Sequence, residues 1–440
     1  MMGKEILNHA LAYVSCFYLF LDELEAFSIR PFVIRPVAQS GPSWSLSRFP
    51  SDTPLGSSHR AWYLPMVTTS SSSSGSSSSS SILVPQPSMA ELLPGIQSID
   101  TYNTELETLL SELREEAFFR LYSVDMLGSC EYMPQQTLEC YTASCEIYAV
   151  ESDDDDETSG VPQYIRSTDA QEYDFELDGW ARWDMPTEDY YDTSQFPEEY
   201  TGYDGSLVWK FIHERICFPQ QQQVSSSNND WRQDFNKAVS GLHSMISGQI
   251  IRGIYEKKRS GQTIEGQWTD ATVEFQRRLS PNGENPLALE NLYFTYMLLL
   301  SAVTVAKERL VHDCTAGNID TSAAQKLQRV LENPLLLPKT TTIGIASQTL
   351  QGHAFQDPTS LWEARMRTRE LFRIMNCVQC NKCRLHGKIS VLGLSTAFQL
   401  LLGGDATQRI HRVEIASLMM TLSKFATTIQ FCKDTVIQPK

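Results

Sequence analysis

Three cysteines, each three residues from the next, form a compact cluster near the C-terminal end of the chain: Cys377, Cys380 and Cys383. They make two overlapping Cys-x-x-Cys pairs, with a helical pattern before and after them. A Cys-x-x-Cys pair at the start of a helix holds two sulfurs within disulfide distance. The helix dipole, together with Lys382 and Arg384, favours a thiolate there. The cluster therefore indicates thiol–disulfide redox chemistry.

The same cysteines leave a second interpretation open, a Cys3His zinc centre in which His386 is the fourth ligand. Structural zinc sites usually have two ligand pairs separated by a longer loop, whereas His386 lies only three residues after Cys383. Spacing alone favours the redox site over the zinc site.

A second pair, Cys140 and Cys145, lies in a region with few aliphatic residues. On a loop, this spacing suits a disulfide that a second protein can reach. An ordinary structural bridge is the alternative, and spacing alone favours it.

The charge balance argues against one class of partner. Lys and Arg number 36 against 53 Asp and Glu, which gives a net charge of −17, and no basic patch stands out. A nucleic-acid-binding surface needs clustered positive charge, so we expect no nucleic-acid partner.

Hydrophobic periodicity predicts the elements that position the cysteines. Apolar residues recur at helical spacing in most long segments, and strand-like alternation is scarce. We therefore predict a mainly α fold, a single helical bundle with long acidic loop insertions such as 151–157. The predicted helices are 102–122, 235–255, 288–309, 321–331, 360–375, 389–402 and 409–431.

The segment 373–394, RIMNCVQCNKCRLHGKISVLGL, resembles the active-site segment of the endoplasmic reticulum oxidoreductins. These are FAD-dependent thiol oxidases that reoxidise protein disulfide isomerase. The resemblance extends over about residues 96–435. Further family segments occur in the same order, namely YTGY at 200–203, SGLH at 240–243, EFQRR at 274–278 and NLYF at 291–294.

The resemblance implies a role for six cysteines. Cys380 and Cys383 correspond to an inner disulfide beside the flavin. An outer shuttle pair receives electrons from the isomerase, and a long-range structural bridge ties the shuttle segment to the core. The outer pair corresponds to Cys140 and Cys145, and the bridge to Cys130 and Cys377.

The resemblance also implies an FAD site. Its contact positions correspond to Thr201, Trp209, Ser240, His243 and Arg278. The residue types suit the cofactor, because an indole can stack on a flat ring and a guanidinium can neutralise a diphosphate. Ser240 and His243, at i and i+3, share one helical face.

Two cationic family positions differ, and at one of them Leu287 or Ala288 stands where an arginine is expected just before Asn291. Glu199 stands where the family has an arginine, and a carboxylate would repel an anionic cofactor. This leaves an alternative, a divergent homologue without FAD that acts as a non-enzymatic interaction protein or thiol buffer.

Composition predicts an N-terminal extension, and the resemblance predicts the domain that follows it and a location. Residues 1–87 form an N-terminal extension with a weakly signal-like apolar run at 11–21 and a disordered serine-rich linker. Residues 88–440 form the oxidase domain, with shuttle-cysteine loops at 126–195 and an FAD-binding core at 196–440. Molecular oxygen is the expected electron acceptor, and the endoplasmic reticulum lumen, with peripheral membrane association, is the expected location.

Overall fold

Helices make up most of the described chain and confirm the mainly α fold class. The structure is a computed structural model. It describes residues 104–133, 145–150, 160–170, 189–198, 205–219, 231–259, 287–315, 321–333, 358–402 and 410–432, with 273, 278 and 279. The predicted extension 1–87 and the acidic block 151–157 lie outside these residues. All described residues belong to one unit, Arg60–Lys440.

Eleven helices and two short strands order the described residues. The chain runs through α1 (104–114), α2 (Ala117–Arg120), β1 (Leu121–Ser123), α3 (Gln163–Asp169), β2 (Tyr190–Asp192) and α4 (Ser206–Arg215). It continues through α5 (Trp231–Arg259), α6 (Leu287–Val305), α7 (Lys307–Thr315), α8 (Thr321–Glu332), α9 (Pro358–Ile374), α10 (Asn381–Leu402) and α11 (Arg412–Cys432). A 3-10 turn, Met375–Cys377, lies between α9 and α10.

Four long helices build the core that carries the site. α5 packs along α6, α10 packs along α11, and α6 contacts both α10 and α11. The residues of α6 and α11 are buried on nearly all sides. A helix that is apolar all round belongs at the centre of a bundle. α6 and α10 are long and apolar enough to cross a bilayer, but both are mostly buried here, so this is weak evidence for membrane spans.

Two glycines allow the paired helices to approach closely. A Cβ on Gly241 of α5 would lie 2.0 Å from the Thr295 hydroxyl and 2.2 Å from the Asn291 carbonyl oxygen of α6. A Cβ on Gly393 of α10 would lie 2.4 Å from the Ser417 carbonyl oxygen of α11. Both glycines fall in the motif segments singled out above, so these motifs serve packing as well as chemistry.

The predicted helix 102–122 is interrupted at residues 115–116 and is wrong from residue 121 onward. α1 ends at residue 114, and after the short helix α2 the chain enters β1, whose Tyr122 pairs antiparallel with Tyr191 of β2. The helical spacing of Leu106, Leu110 and Leu113 matches their burial. Sheet pairing to a strand some seventy residues away overrides local helix propensity beyond them.

Two other helix boundaries also differ from prediction. The predicted helix 288–309 is divided at Ala306 into α6 and α7, although the Ala306 N–H still donates to the Ala302 carbonyl. α10 begins at Asn381, earlier than the predicted residue 389. The first turn of α10 is polar, so apolar periodicity does not reveal it. The helix begins directly after Cys380.

Candidate active site

The N-terminus of α10 presents the two cysteines of the predicted inner pair. Cys380 lies directly before the helix, and its carbonyl accepts the first helical hydrogen bond from the Arg384 N–H at 2.8 Å. Its sulfur accepts the Cys383 N–H at 3.5 Å. Cys380 is buried, Cys383 is half-buried, and both are present as thiols. An N–H bond at a helix N-terminus stabilises negative charge on the sulfur that accepts it.

A disulfide joins the segment before the predicted shuttle pair to this helix. Cys130 and Cys377 are bonded, with Cα atoms 4.6 Å apart and 247 residues between them in sequence. Cys377 ends the 3-10 turn three residues before Cys380. The two chain segments therefore meet at the redox cysteines.

Two cations of α10 hold the same segment through its backbone. Arg384 donates to the Met126 carbonyl at 2.9 Å and to the Val378 carbonyl at 2.8 Å. The fully buried Lys388 donates to the Asp125 carbonyl. Sequence reasoning assigned Arg384 only an electrostatic role and missed Lys388. The family segment contains both residues, but no local pattern shows which carbonyls they reach.

One member of the outer pair lies within the described residues. Cys145 is buried and disulfide-bonded. Cys140, its predicted partner, lies outside them, so the pairing stays a prediction.

Two rings from the predicted flavin-contact set are stacked on each other. The Trp209 indole of α4 and the His243 imidazole of α5 have centroids 4.4 Å apart and planes 6° apart, and both side chains are buried. Ser240 lies one turn earlier on α5 and is half-buried. Thr201 lies outside the described residues.

A thiol and a second histidine extend this stack. The Cys217 sulfur is 3.5 Å from His213 Nδ1, and His213 Nε2 is 3.4 Å from His243 Nδ1. Burial raises the pKa of Cys217 to about 12, so the thiol keeps its proton and donates to His213. His213 Nε2 then donates to His243. Sequence reasoning missed His213, although Cys217, four residues later and just after the end of α4, was a visible signal.

Both imidazoles are neutral at physiological pH. Burial lowers the pKa of His213 to about 4. Burial, and then the charges of His213 and Arg278, lower the pKa of His243 well below its ordinary value. Arg278 is buried and close enough to His243 to act on it electrostatically.

These residues fit a flavin dinucleotide by type. The indole offers a flat face, the neutral imidazole offers a hydrogen-bonding ring, and buried Arg278 offers a cation for a diphosphate. No ring fits between Trp209 and His243 while they remain in contact, so a flavin ring has to stack on an outer face of the pair.

A buried polar cluster occupies the face of α10 that follows Cys383. The Lys424 ammonium group forms an ion pair with Glu198 at 2.7 Å and reaches His386 Nδ1 at 3.1 Å and the Ser390 hydroxyl at 3.2 Å. The other His386 nitrogen, Nε2, donates to the Phe196 carbonyl at 2.6 Å. Both ring nitrogens are engaged, so the alternative zinc site lacks its nitrogen ligand.

A sequence profile for "Endoplasmic Reticulum Oxidoreductin 1 (ERO1)" matches residues 105–432. "Endoplasmic reticulum oxidoreductin-1" of Arabidopsis thaliana is 27% identical over 77% of this chain and 77% of its own length. "ERO1-like protein alpha" of Homo sapiens is 24% identical over 76% of this chain and 87% of its own length.

The fold also resembles that of a solved structure. "Structure of Ero1p, Source of Disulfide Bonds for Oxidative Protein Folding in the Cell" aligns with a TM-score of 0.52 and 20% identity. The alignment covers 76% of this chain and 96% of that one. A mutant of S. cerevisiae Ero1p gives a TM-score of 0.53 at 19% identity. At this identity the likeness shows the fold.

Proposed function

This chain belongs to the Endoplasmic Reticulum Oxidoreductin 1 family, and we propose that it is an FAD-dependent thiol oxidase that reoxidises protein disulfide isomerase. The family assignment makes it an oxidoreductase of disulfide formation in oxidative protein folding. The proposal adds the electron relay, the FAD cofactor, oxygen as the electron acceptor and protein disulfide isomerase as the partner.

The disulfide between Cys130 and Cys377 is the observation that carries the relay. It fixes Cys130 beside the turn that leads into the helix presenting Cys380 and Cys383. In the proposed relay, an isomerase thiolate attacks the Cys140–Cys145 disulfide and forms a mixed disulfide. The second isomerase thiol resolves that mixed disulfide.

The inner step repeats the exchange between the two cysteine pairs. One thiolate of the reduced shuttle pair attacks the Cys380–Cys383 disulfide, and its partner cysteine completes the transfer, which leaves the inner pair as two thiols. Burial of Cys380 keeps the inner pair away from bulk thiols, so electrons enter through the outer pair.

The FAD-contact assignment rests on Trp209, Ser240, His243 and Arg278, with Thr201 from the family motif. When bound, the cofactor supplies an acceptor for two electrons from the Cys380–Cys383 dithiol and passes them to molecular oxygen, which gives hydrogen peroxide. Arg278 would neutralise the diphosphate, and the neutral His243 would offer the cofactor a hydrogen-bonding ring without adding charge. The proposed location is the endoplasmic reticulum lumen, where the protein associates peripherally with the lumenal membrane face.

The alternative is a homologue without FAD that acts as an interaction protein or thiol buffer, and Glu199 is its support. One experiment separates the two functions. The purified protein is examined for flavin absorbance, and oxygen consumption is followed after reduced protein disulfide isomerase is added. Yellow protein that consumes oxygen supports the oxidase. Colourless protein that consumes none, even with added FAD, establishes the alternative.

A further inference from the structure

The side chain of Lys424 lies inside the bundle, on α11, against the helix that carries the inner cysteines. It is 3% exposed, and its three acceptors come from two other parts of the chain. Glu198 follows β2, while His386 and Ser390 belong to α10. The contacts with His386 and Ser390, together with the ion pair to Glu198, fix the position of the ammonium group.

Cys383 shares a helix face with two of these acceptors. Cys383, His386 and Ser390 stand at i, i+3 and i+7 of α10, a spacing that aligns side chains along one side of a helix. The Lys424 ammonium group bonds His386 and Ser390, so it lies against the helix face that bears Cys383. Lys424 and Cys383 also interact electrostatically: burial lowers the Lys424 pKa, whereas Glu198 and Cys383 raise it.

We propose that Lys424 is a positioning residue whose buried ammonium group favours the thiolate form of Cys383. Ionisation breaks the S–H bond of Cys383, releases the proton to solvent and leaves the sulfur negative beside a fixed cation. No electron moves in this step. The inference deepens the proposed function. It rests on that function only for what the thiolate is used for.

The other charged groups around Lys424 define the field that Cys383 experiences. Glu198 is the anion of the cluster, and Arg114 of α1 adds a second positive charge. His386 is neutral because burial, and then the charge of Lys424, lower its pKa to about 4. Taking an ammonium group out of water costs several kcal/mol, and an apolar side chain of similar volume is often as stable. A purely structural role would not need the charge.

The test measures the ionisation of Cys383 directly. The full-length protein is reduced under anaerobic conditions and treated with iodoacetamide over a range of pH, and mass spectrometry of the Cys383 peptide gives the alkylation rate. Lys424→Met should raise the midpoint of the rate profile by about one pH unit, which is about a tenfold loss of thiolate at a fixed pH below the midpoint. Lys424→Arg should restore the wild-type midpoint.

Glu198→Gln separates charge from packing. It removes the anion of the same cluster and keeps the cation, so the midpoint should stay or fall. If Lys424→Met and Glu198→Gln raise the midpoint alike, or if Lys424→Met leaves it unchanged, the proposal is overturned.

A further measurement keeps the proposal testable if Lys424→Met does not fold. The Cys383 midpoint in the folded wild-type protein must lie below that of the same cysteine in urea-denatured chain, and an equal or higher midpoint overturns the proposal. None of these rates needs flavin, oxygen or isomerase. A protein that fails as an oxidase can therefore still pass this test, and the two failures are distinguishable.

Discussion

The Trp209 indole and the His243 imidazole lie face to face, 4.4 Å between centroids, across the contact between α4 and α5. Each ring covers one face of the other, so each offers a single remaining face to a ligand. The outer faces of the two rings are therefore the ones that a flat ligand could contact.

The first prediction concerns this stack. Trp209→Ala should weaken flavin retention by about two- to tenfold, because aromatic stacking contributes about 0.5–1.5 kcal/mol. Trp209→Phe, which keeps a flat ring, should retain most of it. Flavin absorbance per chain after dilution and gel filtration measures the loss. Trp231→Phe, a buried indole of α5 that packs edge-on against Phe218, is the control and should change nothing.

The second prediction separates the two cysteine pairs. Cys380→Ala should abolish oxygen consumption with every reductant, because all electrons pass through the inner pair. Cys140→Ala should impair oxidation of the isomerase but spare oxidation of a small dithiol that can reach the inner pair. Cys432→Ser, at the C-terminal end of α11, serves as the control cysteine. Equal loss with both reductants in Cys140→Ala would refute its assignment to the shuttle.

The third prediction concerns the bond between Cys130 and Cys377. It closes a loop of 247 residues, so its removal should lower the free energy of unfolding by about 2–4 kcal/mol. Urea titration of Cys130→Ser, Cys377→Ser and the double variant measures this loss. Because each single variant already breaks the bond, the three losses should be similar, and additive losses would contradict the assignment.

The fourth prediction is a pH dependence of stability. Burial lowers the His386 pKa from 6.5 to about 4, so the folded state excludes a proton that the unfolded chain accepts. The stabilisation is complete above pH 6.5 and is lost as the pH falls towards 4, by about 3 kcal/mol in all. Urea titrations from pH 7 to 4 should show a shallower decline for His386→Gln than for wild type. His312→Gln, on the exposed face of α7, should decline like wild type.

The fifth prediction concerns the close approach of α5 and α6. Gly241→Ala would place a methyl group 2.2 Å from the Asn291 carbonyl oxygen, so the helices must separate. We expect a loss of about 1–3 kcal/mol in the free energy of unfolding, measured by urea titration. Gly253→Ala, at a half-buried position of the same helix, is the control. A similar loss there would show that the contact with α6 is not the cause.

The sequence by itself determined the chemistry and the class of fold. Residue type and three-residue spacing are local properties, so the cluster from Cys377 to Cys383 indicates redox chemistry without reference to the rest of the chain. The helical periodicity of Leu106, Leu110 and Leu113 likewise predicted their burial, because one helix face is enough to define it. The family motifs extended these local signals to the flavin-contact residues.

Only the tertiary structure decided which distant residues meet. His386 and Glu198 are far apart in sequence, and a histidine near three cysteines first suggested a zinc ligand. In the structure, Lys424 bonds one ring nitrogen of His386, and the Phe196 carbonyl accepts a hydrogen bond from the other. The same holds after α2, where pairing of Tyr122 with Tyr191 ends the helical pattern in a strand. Hydrophobic periodicity records which face of an element is buried, but it carries no information about which buried polar groups will share hydrogen bonds. That choice is made when the helices pack.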